Sequence, residues 1–296
     1  DSFTETRLSN TTLPGMEELY AIASSTILLR TLNDAKNVLN YVGTIHASSS
    51  EETLDIAPTR TFDSVTVTPS GALFTVAKTS SGSVAEISSK GGGRVATVFA
   101  SPISSWVPLA GGTRLFVQSA PSAFAPGYLY EIKNAGAGAT LSKVAQGRSG
   151  FVALPSPSGR YIATSQNLDT GFAFFVLDTK SGTWWSAPIH GSAYSCAWIE
   201  NAEPLIFCAV PKDPPHGNYP DDWLMGNISF SDDAWILNPP LNTAYYIGSL
   251  YDSSGTIDAE HVAVDQTGSY ALFTNKKDLS LWSLYIRDAV IRAAGE

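Results

Sequence analysis

The 296-residue chain carries 18 basic against 27 acidic side chains, a formal charge of -9, and draws its polarity largely from 36 serines and 25 threonines. No cluster of lysine or arginine exceeds the pair Lys276 and Lys277, so the electrostatic footprint of a phosphate-tracking surface is missing and nucleic acid is not an expected partner. No apolar run approaches the ~20 residues of a membrane-spanning helix, and because the chain starts at Asp1 rather than Met, any targeting segment or anchor is expected to have been removed or to lie upstream.

Taken from the N-terminus, Glu5 to Leu13 read as a strand standing before a series of hairpins. The hairpins are LYAIASSTILLRTL from Leu19, SVTVTPSGALFTVA from Ser64, SWVPLAGGTRLFVQ from Ser105, FVALPSPSGRYIATS from Phe151, SCAWIENAEPLIFCA from Ser195 and HVAVDQTGSYALFTN from His261. Each is a short apolar strand, a tight polar turn and a second strand rich in aromatic and β-branched residues. Pro69, Ser70, Gly71 and Pro157, Ser158, Gly159 suit such turns, because proline presets φ and glycine accepts the positive φ that other residues resist.

The turns centre near Ser25, Gly71, Gly112, Gly159, Ala202 and Gly268. Four of the five intervals fall in the ~40 to 50 residues of a four-stranded propeller blade, and the fifth carries about 20 more. One period can be read through: after FVALPSPSGRYIATS come GFAFFVLDT, a turn at Lys180 to Gly182, and TWWSAPI. The predicted fold is therefore all-β, a single six-bladed β-propeller over residues 1–296, with seven blades as the alternative count. A β-sandwich also gives short strands at regular spacing, but it does not demand self-similarity at one period.

The last unit supplies three strands, ending with LSLWSLYI at Ile286. Residues near Thr6 to Thr12 are predicted to complete it by pairing with the strand around Trp282 to Ile286, which removes two exposed edges at once. Residues 287–296 form a tail with helical propensity, too short to be stable alone, that frays or packs on the rim. Residues 209–257 hold a loop insertion and the outer strands of blade five.

The PSG hairpins resemble the Pro-Asp-Gly repeat of the TolB-like, WD40-like β-propellers. Longer strings are similar to those of an uncharacterised group of envelope-anchored propellers from candidate-phylum bacteria: TRLSNTTLPGM from Thr6, GYLYEI from Gly127, LPSPSG from Leu154, CAVPKDPPHGNYPDDWLMGNISFSDDAW from Cys208 and FTNKKDLSLWSL from Phe273. This resemblance implies an outward-facing propeller held by a membrane anchor that is absent from this chain. It carries no activity over.

Cys196 and Cys208 are the two cysteines, and they lie symmetrically about the proposed turn at residue 202. That register sets them opposite each other on an antiparallel hairpin, where Cα atoms approach to ~4.5 Å, as a disulfide requires. A disulfide implies an extracytoplasmic location, on the cell surface or in the periplasm; two buried free thiols in a cytosolic propeller are the alternative. The four histidines, His46, His190, His216 and His261, form no HExxH set. No GxSxG elbow is present, and the glycines at Gly91 to Gly93 precede a strand, so they read as a hairpin turn and not a phosphate loop.

The loop from Pro211 to Asn227 is the most informative local feature. It combines four prolines with His216, Tyr219, Asp221, Asp222 and Trp223, a stiff segment bearing both stacking and hydrogen-bonding groups. It is expected on one face with Lys78 to Ser83, Ser119 to Gly127, Gln166 to Gly171 and Asn275 to Asp278. In the functional reading Tyr219 and Trp223 form an aromatic platform for a glycan or peptide, and Asp221, Asp222 and Lys276 or Lys277 orient it. In the structural reading Trp223 is a buried plug, and the aspartates cap turns or pair with the lysines.

No cofactor is expected. Calcium bridging Asp213, Asp221, Asp222, Asp232 and Asp233 is the alternative, although the DxDxDG spacing is absent. The expected function is a non-enzymatic scaffold binding a surface protein or glycan, with a secreted glycan- or lactone-cleaving propeller enzyme as the alternative.

Overall fold

The computed structural model describes residues 13–47, 52–89, 93–168, 171–214, 216–253 and 255–295. Among these, five four-stranded sheets and one three-stranded sheet follow one another along the chain, each with its strands in sequence order. They are the six blades of a β-propeller.

Blade one is β1 (Met16–Ala23), β2 (Thr26–Leu32), β3 (Val38–Ala47) and β4 (Glu52–Pro58). Blade two is β5 (Ser64–Val67), β6 (Leu73–Thr79), β7 (Gly82–Ser88) and β8 (Val95–Ser101). Blade three is β9 (Trp106–Gly111), β10 (Arg114–Ser119), β11 (Pro126–Lys133) and β12 (Thr140–Ser149). Blade four is β13 (Val152–Pro155), β14 (Tyr161–Asn167), β15 (Phe172–Asp178) and β16 (Thr183–Ser186). Blade five is β17 (Cys196–Trp198), β18 (Ile206–Pro211), β19 (Asp232–Asn238) and β20 (Thr243–Ser249), with a helical turn, α1 (Asp221–Leu224), between β18 and β19. A two-stranded ribbon of β21 (Tyr251–Asp252) and β22 (Gly255–Thr256) leads into blade six, which is β23 (Ala259–Val264), β24 (Tyr270–Asn275) and β25 (Leu281–Tyr285). Helix α2 (Arg287–Ala294) ends the chain's described elements. The predicted closing strand near Thr6 to Thr12 lies outside the described residues.

The first-to-second turns repeat one piece of chemistry. In blades two, four and six the amides of Gly71, Gly159 and Gly268 donate to the carbonyls of Thr68, Ser156 and Asp265 at 2.8, 2.8 and 2.9 Å. The side chain of the accepting residue also receives an amide from the incoming strand: Ala72 to Thr68 Oγ1 at 3.0 Å, Tyr161 to Ser156 Oγ at 3.2 Å, and Tyr270 to Asp265 Oδ1 at 2.7 Å. The three glycines stand at φ +79, +73 and +67, where a Cβ would be strained.

The chain divides into two compact units, Asp1–Val117 with Ile132–Ser142, and Gln118–Glu131 with Lys143–Glu296, the division passing through the third sheet. In the first unit, Ile22, Leu28, Phe62, Val65 and Leu73 form an apolar cluster. Arg30 is buried beside it without a cost in unpaired charge: it pairs with Glu18, donates from Nε to Asn40 Oδ1 at 3.0 Å, and lies 5.6 Å over the Phe62 ring. Burial, and then the neighbouring Glu18 carboxylate, push the Tyr20 hydroxyl up to about 12.

In the second unit β18 is buried along its whole length. Successive side chains point to opposite faces of a strand, and the burial follows that alternation. Ile206, Cys208 and Val210 join a cluster with Phe174, Val176 and Ile189 of the blade-four side, whereas Phe207 and Ala209 join Ala259, Ala271 and Phe273 of blade six. Helix α2 packs into the latter cluster through Ala289, Val290 and Ala293, and Asn238 Nδ2 donates to the Ala293 carbonyl at 2.8 Å. That packing, not propensity, holds so short a helix.

Candidate functional site

The cysteines occupy the predicted register. Cys196 and Cys208 are cross-strand partners of β17 and β18, joined as a disulfide with Cα atoms 4.1 Å apart. The row continues across blade five, because Cys208 faces Trp235 of β19 and Trp235 faces Tyr246 of β20. The two rings meet edge to face at 5.1 Å. The staple on the inner hairpin thus fixes the strand next to the one that presents the Trp235 indole.

The insertion folds back on its own unit. Tyr219, Trp223 and Phe230 bury with Phe172 of β15 in a compact aromatic cluster, with the Trp223 and Phe230 rings stacked at 6.0 Å and Tyr219 tilted against Phe172 at 4.9 Å. Asp258, fully buried just before β23, anchors this cluster. Its Oδ1 accepts from Trp223 Nε1 at 3.0 Å, and its Oδ2 accepts from Ser229 Oγ at 2.9 Å and the Phe230 amide at 2.8 Å. Lys276 lies over the indole, its Nζ 4.8 Å from the ring centroid and 3.0 Å from Glu260 Oε2.

The remaining sequence-predicted residues separate into two sets. Asp221 accepts the Ala123 amide at 2.6 Å, and Asp222 accepts the Asn218 amide at 2.8 Å, so both aspartates hold loops. Hydrogen bonding from Asn218 and Asn227 draws the Asp222 carboxyl below its ordinary range. Lys277 Nζ donates to the Thr256 carbonyl at 2.8 Å. The aspartates and lysines therefore find separate partners instead of one another. His216, by contrast, is exposed and lines an open cleft. Three of the four segments expected beside the insertion touch it: Ala123 through Asp221, Asn167 through a 2.6 Å bond from Nδ2 to the Tyr219 carbonyl, and Lys276 through Trp223. The fourth, Lys78 to Ser83, belongs to the other unit.

Of the aspartates considered for calcium, Asp213 and Asp233 line the cleft, Asp221 and Asp222 hold loops, and Asp232 is buried with Oδ2 accepting the Ala259 amide at 2.7 Å. No group of three or more ligating side chains gathers among the described residues. Burial is the main reason that the Asp232 carboxyl is pushed up to about 8; nearby Asp258 and Asp233 add to it and Lys277 opposes it.

The cleft, of about 720 Å3, lies along blades four and five of the second unit. Asn167 and Leu168 line it from the end of β14, Pro188 and His190 from the linker between the blades, and Val210, Asp233 and Trp235 from β18 and β19. The insertion adds Lys212, Asp213, Pro214, His216 and Tyr219. His190 Nδ1 lies 2.9 Å from the Phe172 carbonyl. A carbonyl only accepts, so Nδ1 carries a proton and donates it to Phe172. Sequence reasoning found His216, Tyr219, Asp213 and the segment holding Asn167 but missed His190 and Trp235, which no local motif connects.

The fold and the cleft define a β-propeller with a walled groove on one pair of blades. No family model matches the chain, and no curated protein matches it. Solved structures do: hydrazine synthase of Kuenenia stuttgartiensis (14% identity, 100% of this chain and 83% of that one, TM-score 0.58) and the β-propeller domain of the trilobed protease of Pyrococcus furiosus (8%, 92% and 84%, 0.56). TolB of Acinetobacter baumannii is also similar (9%, 81% and 55%, TM-score 0.50). At these identities the likeness is one of fold.

Proposed function

We propose that this protein is a non-enzymatic interaction module that acts outside the cytoplasm, binding a surface protein or a glycan on the face built by the blade-five insertion. The observation that carries this reading is the anchoring of the insertion: Asp258, Asn167 and Ala123 each tie it to a different neighbouring segment. A surface ordered in advance loses less conformational freedom on binding than a flexible loop. The Cys196–Cys208 disulfide supports an oxidising compartment, on the cell surface or in the periplasm. Membrane attachment through a segment outside these residues is what the envelope-anchored resemblance adds. The acidic balance turns the surface away from nucleic acid. Proteins as different as a hydrazine synthase, a protease and TolB share the fold, so the reading rests on the site and not on the architecture.

The test is to measure binding and turnover side by side on a panel of envelope glycans, surface proteins and lactones. Binding without turnover, weakened by His216→Ala, is the expected result. Turnover abolished by substituting one cleft carboxylate, such as Asp233→Asn, would move the protein to the glycan- or lactone-cleaving class.

A further inference from the structure

The most exposed large apolar side chains of the described residues are not scattered. Phe124, Leu281, Leu279, Tyr251 and Met225, 66 to 76% exposed, head that series, and all five stand at one end of the second unit. Neighbouring strands of a blade run in opposite directions, so the second-to-third connection and the linker to the next blade leave at the same end. Phe124 lies between β10 and β11, Met225 between β18 and β19, and Leu279 between β24 and β25, while Leu281 opens β25 and Tyr251 follows β20. The opposite end carries the glycine turns.

These tips belong to one interlocked surface. Asp221 ties the segment of Phe124 to the helical turn before Met225, Lys276 of the Leu279 connection lies over Trp223, and Lys277 reaches Thr256 beyond Tyr251. Main-chain bonds fix two of the tips: the Met225 amide donates to the Asp221 carbonyl at 2.9 Å, and the Leu279 amide to the Asn275 carbonyl at 2.7 Å. Leu279 stands at φ +62, a conformation that glycine or asparagine adopts at lower cost. The turn thus holds outward a leucine that is 73% exposed and gains little from packing, and an uncompensated backbone outlier points to function.

Shape and charge select the occupant. Side chains so exposed do not shield one another, so they are separate projections and not a continuous patch. A protein partner would need a fitted socket for each, whereas a fluid bilayer closes around each one. The tips lie within the uncharged runs 119–130, 223–231, 234–251 and 279–286, and a tyrosine suits the level of the headgroups. Flanking charges are used within the protein: Lys276 pairs with Glu260, and Asp278 Oδ1 accepts the Ser280 amide at 2.9 Å. With no basic cluster and a net charge of -9, anionic lipid finds no attraction here.

We propose that this end of the second unit docks on a lipid bilayer of zwitterionic headgroups, its apolar tips entering the interface. Such docking goes beyond the interaction-module reading, which concerns a protein or a glycan, and it needs neither ligand.

The experiment is flotation of the full chain with phosphatidylcholine vesicles and with phosphatidylcholine–phosphatidylglycerol vesicles, at low and high salt, beside the glycan and protein panel. Saturable binding to phosphatidylcholine is expected, insensitive to salt and not strengthened by phosphatidylglycerol. Phe124→Ser and Leu279→Asn should each weaken it, by roughly tenfold or more together. Asparagine suits the positive φ, so Leu279→Asn should keep or raise the unfolding midpoint, and loss of fold is not at issue. Leu241→Ser, at a side chain 59% exposed on the opposite end, should leave binding unchanged. No binding at millimolar lipid overturns the inference, as does an equal loss in Leu241→Ser. Binding to phosphatidylglycerol vesicles alone, or binding abolished by salt, overturns it too, because charge would then carry the contact. If vesicles fail while Phe124→Ser abolishes binding of a panel protein, the tips belong to a protein partner and the interaction module stands without the bilayer.

Discussion

Replacing Trp223 separates a structural anchor from a ligand platform. The indole is 5% exposed, stacks on Phe230 and donates to the fully buried Asp258. Removing a buried tryptophan side chain costs about 3 to 5 kcal/mol, which for a chain of this size lowers the unfolding midpoint by roughly 5 to 8 °C. Trp223→Phe keeps most of the ring packing but deletes one donor to a buried carboxylate, and should cost about 1.5 to 3 kcal/mol. The assay is thermal and urea unfolding of both variants, with amide exchange followed over residues 216–230. Protection should fall there first, since that segment loses its tie to Asp258. An unchanged unfolding midpoint in Trp223→Ala, with ligand affinity lost, would refute the anchor and restore the platform.

Three other outcomes follow from the geometry. The Asp232 carboxyl keeps its proton to about pH 8 in the folded chain but releases it above the ordinary 3.8 when unfolded, so stability falls as pH rises between those values and levels off above. The slope is at most about 1.4 kcal/mol per pH unit for this group, and Asp232→Asn should remove it in unfolding titrations from pH 4 to 9; an unaltered slope contradicts the assignment. Reducing the disulfide, whose cysteines are 12 residues apart, should cost about 3 kcal/mol on the loop-entropy estimate. Thiol titration in denaturant should detect no thiol before reduction and two after it. Gly150→Ala places a Cβ at φ +69 only 2.3 Å from Asn167 Oδ1; it should lose about 1 to 3 kcal/mol and weaken cleft binding, whereas a variant that keeps wild-type stability and affinity would show that Asn167 need not be held.

The architecture was legible because its determinants are local. A glycine at positive φ two residues before a β-rich segment, with Thr68, Ser156 or Asp265 opening the turn, marks a hairpin wherever it occurs, and its recurrence sets the blade. The cysteine register was legible for the same reason, since a hairpin imposes symmetry about its turn. The site was less so. Trp223 and Tyr219 have residue types that fit either a platform or a plug, and the deciding partner of Trp223, Asp258, lies 35 residues away in a stretch without a motif. The cleft draws on the β14 terminus, the interblade linker, two strands and the insertion, so no window of sequence contains it. The tail was half legible: Ala289, Val290 and Ala293 form an apolar stripe, but only the surface beneath them makes it a stable helix.

The single disulfide has a consequence for biogenesis. With two cysteines in the chain only one intramolecular pairing exists, so oxidation needs no proofreading among alternatives. The partners belong to one hairpin, 12 residues apart, and both precede blade six in the chain. The bond can therefore close as a local event, leaving the sequential assembly of the later strands to proceed around a fifth blade whose inner pair can no longer separate.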